Sequence, residues 1–322
     1  MKLGSIRRLE RQEWIELSAR SPQRTVFLDP DFLEIFGVPF RFWGLERKGV
    51  VIAGMAIIEA ETLGGRFLPW CYYQGIVFHE EVWRAAPAKR TQYEIEITED
   101  LVSAVAREES HFALSLHPML GDVRGLDWVH YHEPALSRVR LLPRYTAVRD
   151  LFGETPERIR AAARSARRQE EGYARSRESL LTAEDGTVEE LIALYLETFS
   201  RQGVQPSDAE KRLLPAYAAF LLEAGHGTLL AVRKSDGAAC AIALVFSDYD
   251  GTVHVPVVGT GDTRFGGTLL YFGILDRALS DGAPRVDFNG ANSPNRAYFK
   301  HSMGAAPVLY FEATYNAGAP AG

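Results

Sequence analysis

The stretch Gly259-Thr260-Gly261-Asp262-Thr263-Arg264-Phe265-Gly266-Gly267 combines glycines with one cation, just ahead of an apolar segment of helical length. Glycine lets backbone come close to an anion. The first turn of the helix that follows offers unpaired N–H groups and a partial positive charge. Phosphate binding is one expectation for Gly259, Arg264, Gly266 and Gly267; a strand-to-helix turn without a ligand is the other. A second concentration of cations, Arg164, Arg167, Arg168, Arg175 and Arg177, lies in and after Pro156–Gly172. It would meet phosphates of tRNA or of a nucleotide-linked acceptor, or it would pair with Glu157, Glu170 and Glu171 along a solvated helix. The histidines fall at no metal-ligand spacing, since His130 and His132 would share a strand face but lack a third ligand. No metal is therefore expected. Neither a Gly-x-Ser-x-Gly elbow nor a Walker A loop occurs. Cys71 and Cys240 are too few and too far apart for a disulfide framework or a zinc site. A reducing, cytoplasmic compartment is expected, with Cys240 packing as a small hydrophobe in the run Ala238–Phe246.

These groups need a scaffold. A length of 322 residues suits one large domain or two of ordinary size, and 46% hydrophobic residues provide for real cores. A net charge of −6 argues against broad binding to nucleic acid or anionic membrane. The polar start, Met1–Glu10, lacks a signal-peptide core, and no run approaches the roughly 20 apolar residues of a bilayer span. The tail Ala317–Gly322, small residues and proline, is expected to fray.

In the first half, Trp43–Arg47 and Val50–Glu59 flank Lys48-Gly49 as a hairpin. Phe67–Phe78 reads as a loop and then a strand. Pro87–Arg107 is helical toward its later end, with Ile95, Ile97, Leu101, Val102 and Val105 on the apolar side. Phe112–Leu116 reads as a strand, Met119–Val123 as a helical turn and Leu126–Tyr131 as a strand. Leu141–Tyr145, broken by Pro143, marks the boundary between domains 1–144 and 145–322. In the second half, Thr155 and Pro156 open the arginine helix as N-cap and first residue. Tyr173–Leu181 reads as a strand, and Val188–Gln202 and Glu210–Ala224 as helices. The strands Thr228–Arg233, Ala238–Phe246 and Thr252–Val258 are joined by Ser235-Asp236-Gly237 and Tyr249-Asp250-Gly251. Helix Gly266–Ser280, strand Arg285–Phe288, helix Asn295–Ser302 and strand Val308–Tyr315 follow. Pro256 implies a bulge or an edge within its strand.

A three-stranded meander feeding a strand–helix–strand unit resembles the core of the GNAT acyltransferases. The motifs Asp287-Phe288-Asn289-Gly290, Phe299-Lys300 and Met303-Gly304-Ala305 resemble, more narrowly, the FemAB-like branch of that superfamily, over roughly Tyr145–Tyr315. Thr198-Phe199-Ser200-Arg201-Gln202-Gly203 is similar to a further stretch of the branch. Two positions depart from the pattern: Leu269 stands where the donor loop has a small residue, and Met303 where phenylalanine is usual. The first half is similar only weakly, through Trp70–Phe78. The fold class implied is α/β (α+β): two tandem GNAT-like domains, each a mixed, mostly antiparallel sheet flanked by helices. The first would be degenerate, with a substrate-binding or structural role.

The resemblance implies amide formation by attack of an amine on an activated acyl carbonyl, with the fold supplying orientation and a polarised carbonyl. The strands before and after the crossover helix splay, and Val257, Val258 and Gly259 would pair with a pantetheine or acyl chain in the gap. Lys300 would stabilise oxyanion charge or hold a phosphate, or be a solvated helix lysine. Asp287 would orient substrate or accept a proton, or bond the turn Asn289–Ser293. Asn289, Asn292, Arg296, Phe299, Tyr73 and Gln74 are the substrate-binding candidates. The co-substrate implied is acyl-CoA with no tightly bound cofactor, and the acceptor a small-molecule or peptide amine. Two alternatives stand: an aminoacyl-tRNA donor with a peptidoglycan precursor or small peptide as acceptor, and a non-catalytic binding protein on a decayed fold.

Overall fold

The structure, a computed structural model, describes residues 4–318. Residues 319–322 of the tail expected to fray lie outside the described residues. The chain forms two units, Met1–Arg144 with Leu309–Gly322, and Tyr145–Val308. In chain order the elements are β1 (Ser5–Leu9), α1 (Arg11–Ala19), α2 (Pro30–Glu34), β2 (Phe40–Arg47), β3 (Val50–Ile58), β4 (Ile76–Phe78), α3 (Glu80–Trp83), α4 (Pro87–Glu108), β5 (His111–Ser115), α5 (Arg124–Asp127) and β6 (Arg140–Asp150). There follow α6 (Pro156–Ala162), α7 (Ser165–Ser176), β7 (Leu181–Ala183), α8 (Val188–Arg201), α9 (Asp208–Glu223), β8 (Gly227–Arg233), β9 (Ala239–Ser247), β10 (Val253–Thr260), α10 (Gly266–Ser280), β11 (Arg285–Asp287), α11 (Pro294–Ser302) and β12 (Ala306–Asn316).

In the first unit, β1, β2, β3 and β4 form an antiparallel sheet, and β5 pairs with the end of β12 from Glu312 to Asn316. That pairing corrects the expected domain of 145–322. Tyr315 stacks on Phe112 at 5.1 Å and Tyr310 meets Tyr73 edge-on at 5.6 Å, so the last strand's end belongs to the first unit. Two further expectations fail here. Met119–Val123 is not a helical turn, and Leu126–Tyr131 is not a strand but the end of the short helix α5 and a turn. Leu126 and Val129 are both fully buried, three residues apart, while Trp128 is exposed. A strand would place residues 126 and 128 on one face. Gly125 makes the close approach possible, because a Cβ there would stand 2.5 Å from the Ile95 carbonyl oxygen on α4.

In the second unit the strand order is β6, β11, β10, β9, β8, β7. Only the β10–β11 pair is parallel. The crossover helix α10 buries Leu269, Leu270, Phe272, Ile274 and Leu275 in a core with Val255, Val286 and Phe288. Local chemistry sets the helix starts. Thr187 with Glu190 and Ser207 with Glu210 form capping boxes, and Thr155 caps α6 ahead of Pro156. The Asp-Gly turns form as expected: Asp236 and Asp250 accept from the N–H groups of Ala238 and Thr252, both at 2.9 Å. Pro256 marks a bulge, since the register of β10 on β9 shifts between His254 and Val257, and β10 is an interior strand.

The arginine helix is not continuous. It breaks at Ala163-Arg164, where the Arg164 N–H bonds the Ser302 carbonyl at 2.9 Å. Tyr173–Leu181 is likewise not a strand. Its first half completes α7, whose Ala174 is fully buried, and only Leu181–Ala183 pairs with β8.

Candidate functional site

The parallel ladder between β10 and β11 is two residue pairs long, Val253 with Val286 and His254 with Asp287. The polar side chains of the signature motif end it. Asp287, buried, accepts hydrogen bonds on Oδ1 from the Asn289 N–H at 2.8 Å and from the Thr146 hydroxyl. These bonds turn the chain, and Asn289 adopts a left-handed conformation with φ of 52°. The Asn289 side chain then takes the place of the next strand residue. Its Oδ1 accepts from the Val255 N–H at 3.0 Å, and its Nδ2 donates to His254 Nδ1 at 3.0 Å. Beyond His254 only β9 pairs with β10, so the splay expected around Val257–Gly259 is present.

Lys300 reaches back from α11 and donates to the carbonyls of Phe288 at 2.8 Å, Gly290 at 2.9 Å and Asn289. An ammonium has three donors, and all three are spent on this turn. Burial pulls its pKa down to about 8, against the pull of the Asp287 charge, and Arg296 lowers it further. In this conformation Lys300 is a clamp on the turn, with no donor aimed at a substrate. Asn292 is similarly engaged. Its Oδ1 accepts from the Tyr145 N–H at 2.8 Å and its Nδ2 donates to the Tyr145 carbonyl at 3.1 Å, extending the pairing of β6.

His254, dismissed in sequence because no metal spacing surrounds it, is a center of this network. Its Nε2 lies 3.4 Å from Asp248 Oδ2 and its Nδ1 3.8 Å from Asp287 Oδ2. Burial alone would lower its pKa. The hydrogen bond to Asp248 and the charges of Asp287, Asp248 and Asp250 more than reverse that, and the net shift is upward. The amide of Asn289 holds Nδ1 as an acceptor, so a second proton requires the ring to exchange Asn289 for Asp287. Nothing in the local sequence signals this contact, because Asp248, His254 and Asp287 come from three different strand ends.

The two phenylalanines of the motif do not face solvent together. Phe288 and Phe299 both pack on Tyr271 of α10, each with ring centroids 4.9 Å away, Phe299 edge-on. The Arg167 guanidinium covers Phe299 at 4.6 Å, and exposed Arg296 lies over Phe199 at 5.6 Å. The stretch Thr198–Gly203 has a definite task. Thr198 Oγ1 accepts from the Thr260 N–H at 2.7 Å, and Arg201 donates to the Thr260 carbonyl, holding the end of β10 against α8. Gly259 is needed there, because a Cβ would stand 2.6 Å from the Tyr195 nitrogen.

At the donor loop, Phe265 turns the chain with φ of 68° and α10 begins at Gly266. Around Gly267 a Cβ would meet only Thr260, at an ordinary 3.6 Å, so its surroundings are open. The Thr268 hydroxyl donates to Glu170 at 2.6 Å, and Arg167 donates to the same carboxylate at 2.6 Å. Arg264 borders a cavity of about 350 Å³ shared with Lys234 but also with Glu178, Asp236 and Asp262, a mixed lining for a phosphate. Most of the arginine series is engaged within the unit. Arg167 pairs with Glu170 at 2.6 Å, Arg175 lies 3.5 Å from Glu171, and Arg168 donates to the Ala163 carbonyl at 2.5 Å; Arg160, outside that series, binds Glu171 and Asp276.

Tyr73 and Gln74 belong to the first unit. Tyr73 is buried among Phe27, His117 and Tyr310, and Gln74 Oε1 lies 3.3 Å from Cys71 Sγ. That unit has a cavity of about 710 Å³ that neither residue lines.

An interior sheet whose crossover pair splays, with a helix N-terminus at its open end, defines a GNAT-type acyltransferase fold. Residues 155–301 match the family model described as an acetyltransferase (GNAT) domain. Among solved structures, FemX superimposes with a TM-score of 0.64 at 13% identity, covering 97% of each chain. The C-terminal domain of a protein assigned as lysylphosphatidylglycerol synthetase from Agrobacterium fabrum gives 0.58 at 13% identity, covering 95% of this chain and 91% of that one. L-PGS from Bacillus licheniformis gives 0.55 at 11%, covering 98% and 94%. No curated protein matches the chain significantly. Among the described residues no helix is long and apolar enough to cross a membrane.

Proposed function

We propose that the chain is an N-acyltransferase that moves an acyl group from acyl-CoA to an amine and forms an amide. The observation that carries this is the end of the β10–β11 ladder at His254 and Asp287, which leaves one edge of β10 without a strand partner ahead of α10. An extended pantetheine or acyl chain can pair with such an edge, and the first turn of α10 can receive an anion. The amine nitrogen bonds to the thioester carbon, the C–S bond breaks, and the proton lost by the amine ends on the thiol. Asp287, Asn289 and Lys300 serve this chemistry by holding the splay open; they are positioning residues. The aminoacyl-tRNA alternative rested on the arginine series, and the ion pairs and carbonyl contacts of Arg167, Arg168 and Arg175 weaken its basis.

The test is thermal shift and calorimetry of the purified chain against a panel of acyl-CoAs and against charged tRNA. Stabilisation by at least one acyl-CoA is expected. Stabilisation by charged tRNA with none from any CoA overturns the donor assignment.

A further inference from the structure

The side chain on which the motif converges is Tyr271. Its ring is held by Phe288, one residue past β11, and by Phe299 on α11. Asp287, Asn289 and Lys300 fix the backbone that carries Phe288, and Arg167 covers Phe299. Tyr271 is 6% exposed and belongs to the core around α10. Buried tyrosines ordinarily satisfy their hydroxyl, because stranding it forfeits the hydrogen bonds it had in water. Tyr271 Oη has no hydrogen-bond partner among the described residues, and it is not among the atoms sealed from solvent. The ring is locked and the polar tip is left unsatisfied at an accessible position. Burial keeps the phenol protonated, and the only charge noticeably felt by it is that of Arg296, which makes no ion pair among the described residues.

We infer that Tyr271 is a catalytic residue whose hydroxyl donates a hydrogen bond to the acyl carbonyl oxygen, with Arg296 adding positive charge as that oxygen becomes anionic. The inference rests on the acyl-thioester donor proposed above. When the amine nitrogen bonds to the carbonyl carbon, the π electron pair moves onto oxygen, where Oη–H meets it. When the C–S bond breaks, the pair returns and the sulfur leaves as thiolate, taking up the amine's proton. Tyr271 gives up no proton in the cycle. A locked donor needs no reorganisation as charge develops, which is the condition under which such donors act most strongly.

The experiment uses [1-13C]acetyl-CoA and the variant Tyr271→Phe, which keeps the ring and its packing. Isotope-edited infrared spectroscopy reads the bound carbonyl, calorimetry reads affinity, and melting reads stability. In the wild type the carbonyl stretch is expected below that of free acetyl-CoA. In Tyr271→Phe that lowering disappears, with the Kd changed less than about threefold and the melting temperature unchanged or raised. Acetyl transfer to an amine panel is expected to fall by about tenfold or more in kcat. An unshifted wild-type carbonyl, or a shift that survives in Tyr271→Phe, overturns the inference and leaves the donor assignment intact. A clear fall in melting temperature on loss of the hydroxyl also overturns it, since the group would then have a structural partner. Failure of the wild type to bind acetyl-CoA or any other acyl-CoA overturns the donor assignment and this inference with it.

Discussion

Lys300→Met separates a clamp from a catalytic lysine. Methionine keeps most of the volume and removes the charge and all three donors. The carbonyls of Phe288, Asn289 and Gly290 then lose the ammonium, and the first two belong to fully buried residues. Each stranded carbonyl costs about 1–3 kcal/mol. Removing a buried ammonium, whose pKa burial has drawn down to about 8, returns part of that sum. A net loss of about 3 kcal/mol follows, or a fall of roughly 6–12 °C in the second unit's melting temperature at about 2–4 °C per kcal/mol. Calorimetric melting and urea titration read the change, and acyl-CoA binding should weaken in parallel because the splay depends on the same turn. A variant melting within about 2 °C of wild type but unable to transfer an acyl group would refute the clamp and return Lys300 to the substrate.

Two other outcomes follow from the geometry. Gly259→Ala sets a methyl 2.6 Å from the Tyr195 nitrogen and 2.7 Å from the Leu194 carbonyl carbon, backbone that cannot swing away; a cost of about 1–3 kcal/mol is expected in urea titration. The folded pKa of His254 lies above its ordinary 6.5 because Asp248, Asp287 and Asp250 outweigh the opposing effect of burial. Its protonated form therefore contributes stability that is fully present below pH 6.5 and is lost as pH rises through the folded pKa. Denaturant titrations across that window should show a decline in wild type that His254→Gln lacks; matching slopes would exclude the coupling.

Much of the scaffold is written locally. Thr187 with Glu190, Ser207 with Glu210, Thr155 before Pro156, and the Asp-Gly turns each bring donor and acceptor together within four residues, so a sequence window contains both partners. The motif Asp287–Gly290 with Phe299-Lys300 was likewise recognisable, whereas Pro256 allowed a bulge or an edge and the register of β10 on β9 decided for the bulge. What the motif does was decided by partners far along the chain. Lys300 has the residue type of an oxyanion stabiliser, but three carbonyls some ten residues earlier occupy it. The arginine helix breaks where the Ser302 carbonyl meets Arg164, and Leu126–Tyr131 abandons a strand pattern because Gly125 lets the chain press onto α4. Sequence alone determined the meander, the crossover helix and most helices of the second unit, the family resemblance and the segment that would matter. Only the tertiary structure set Asp248, His254 and Asp287 side by side and closed two phenylalanines on Tyr271. A hydrogen bond or ring contact between distant residues leaves no periodicity or spacing to read, and burial, which sets its strength, exists only once the chain has folded.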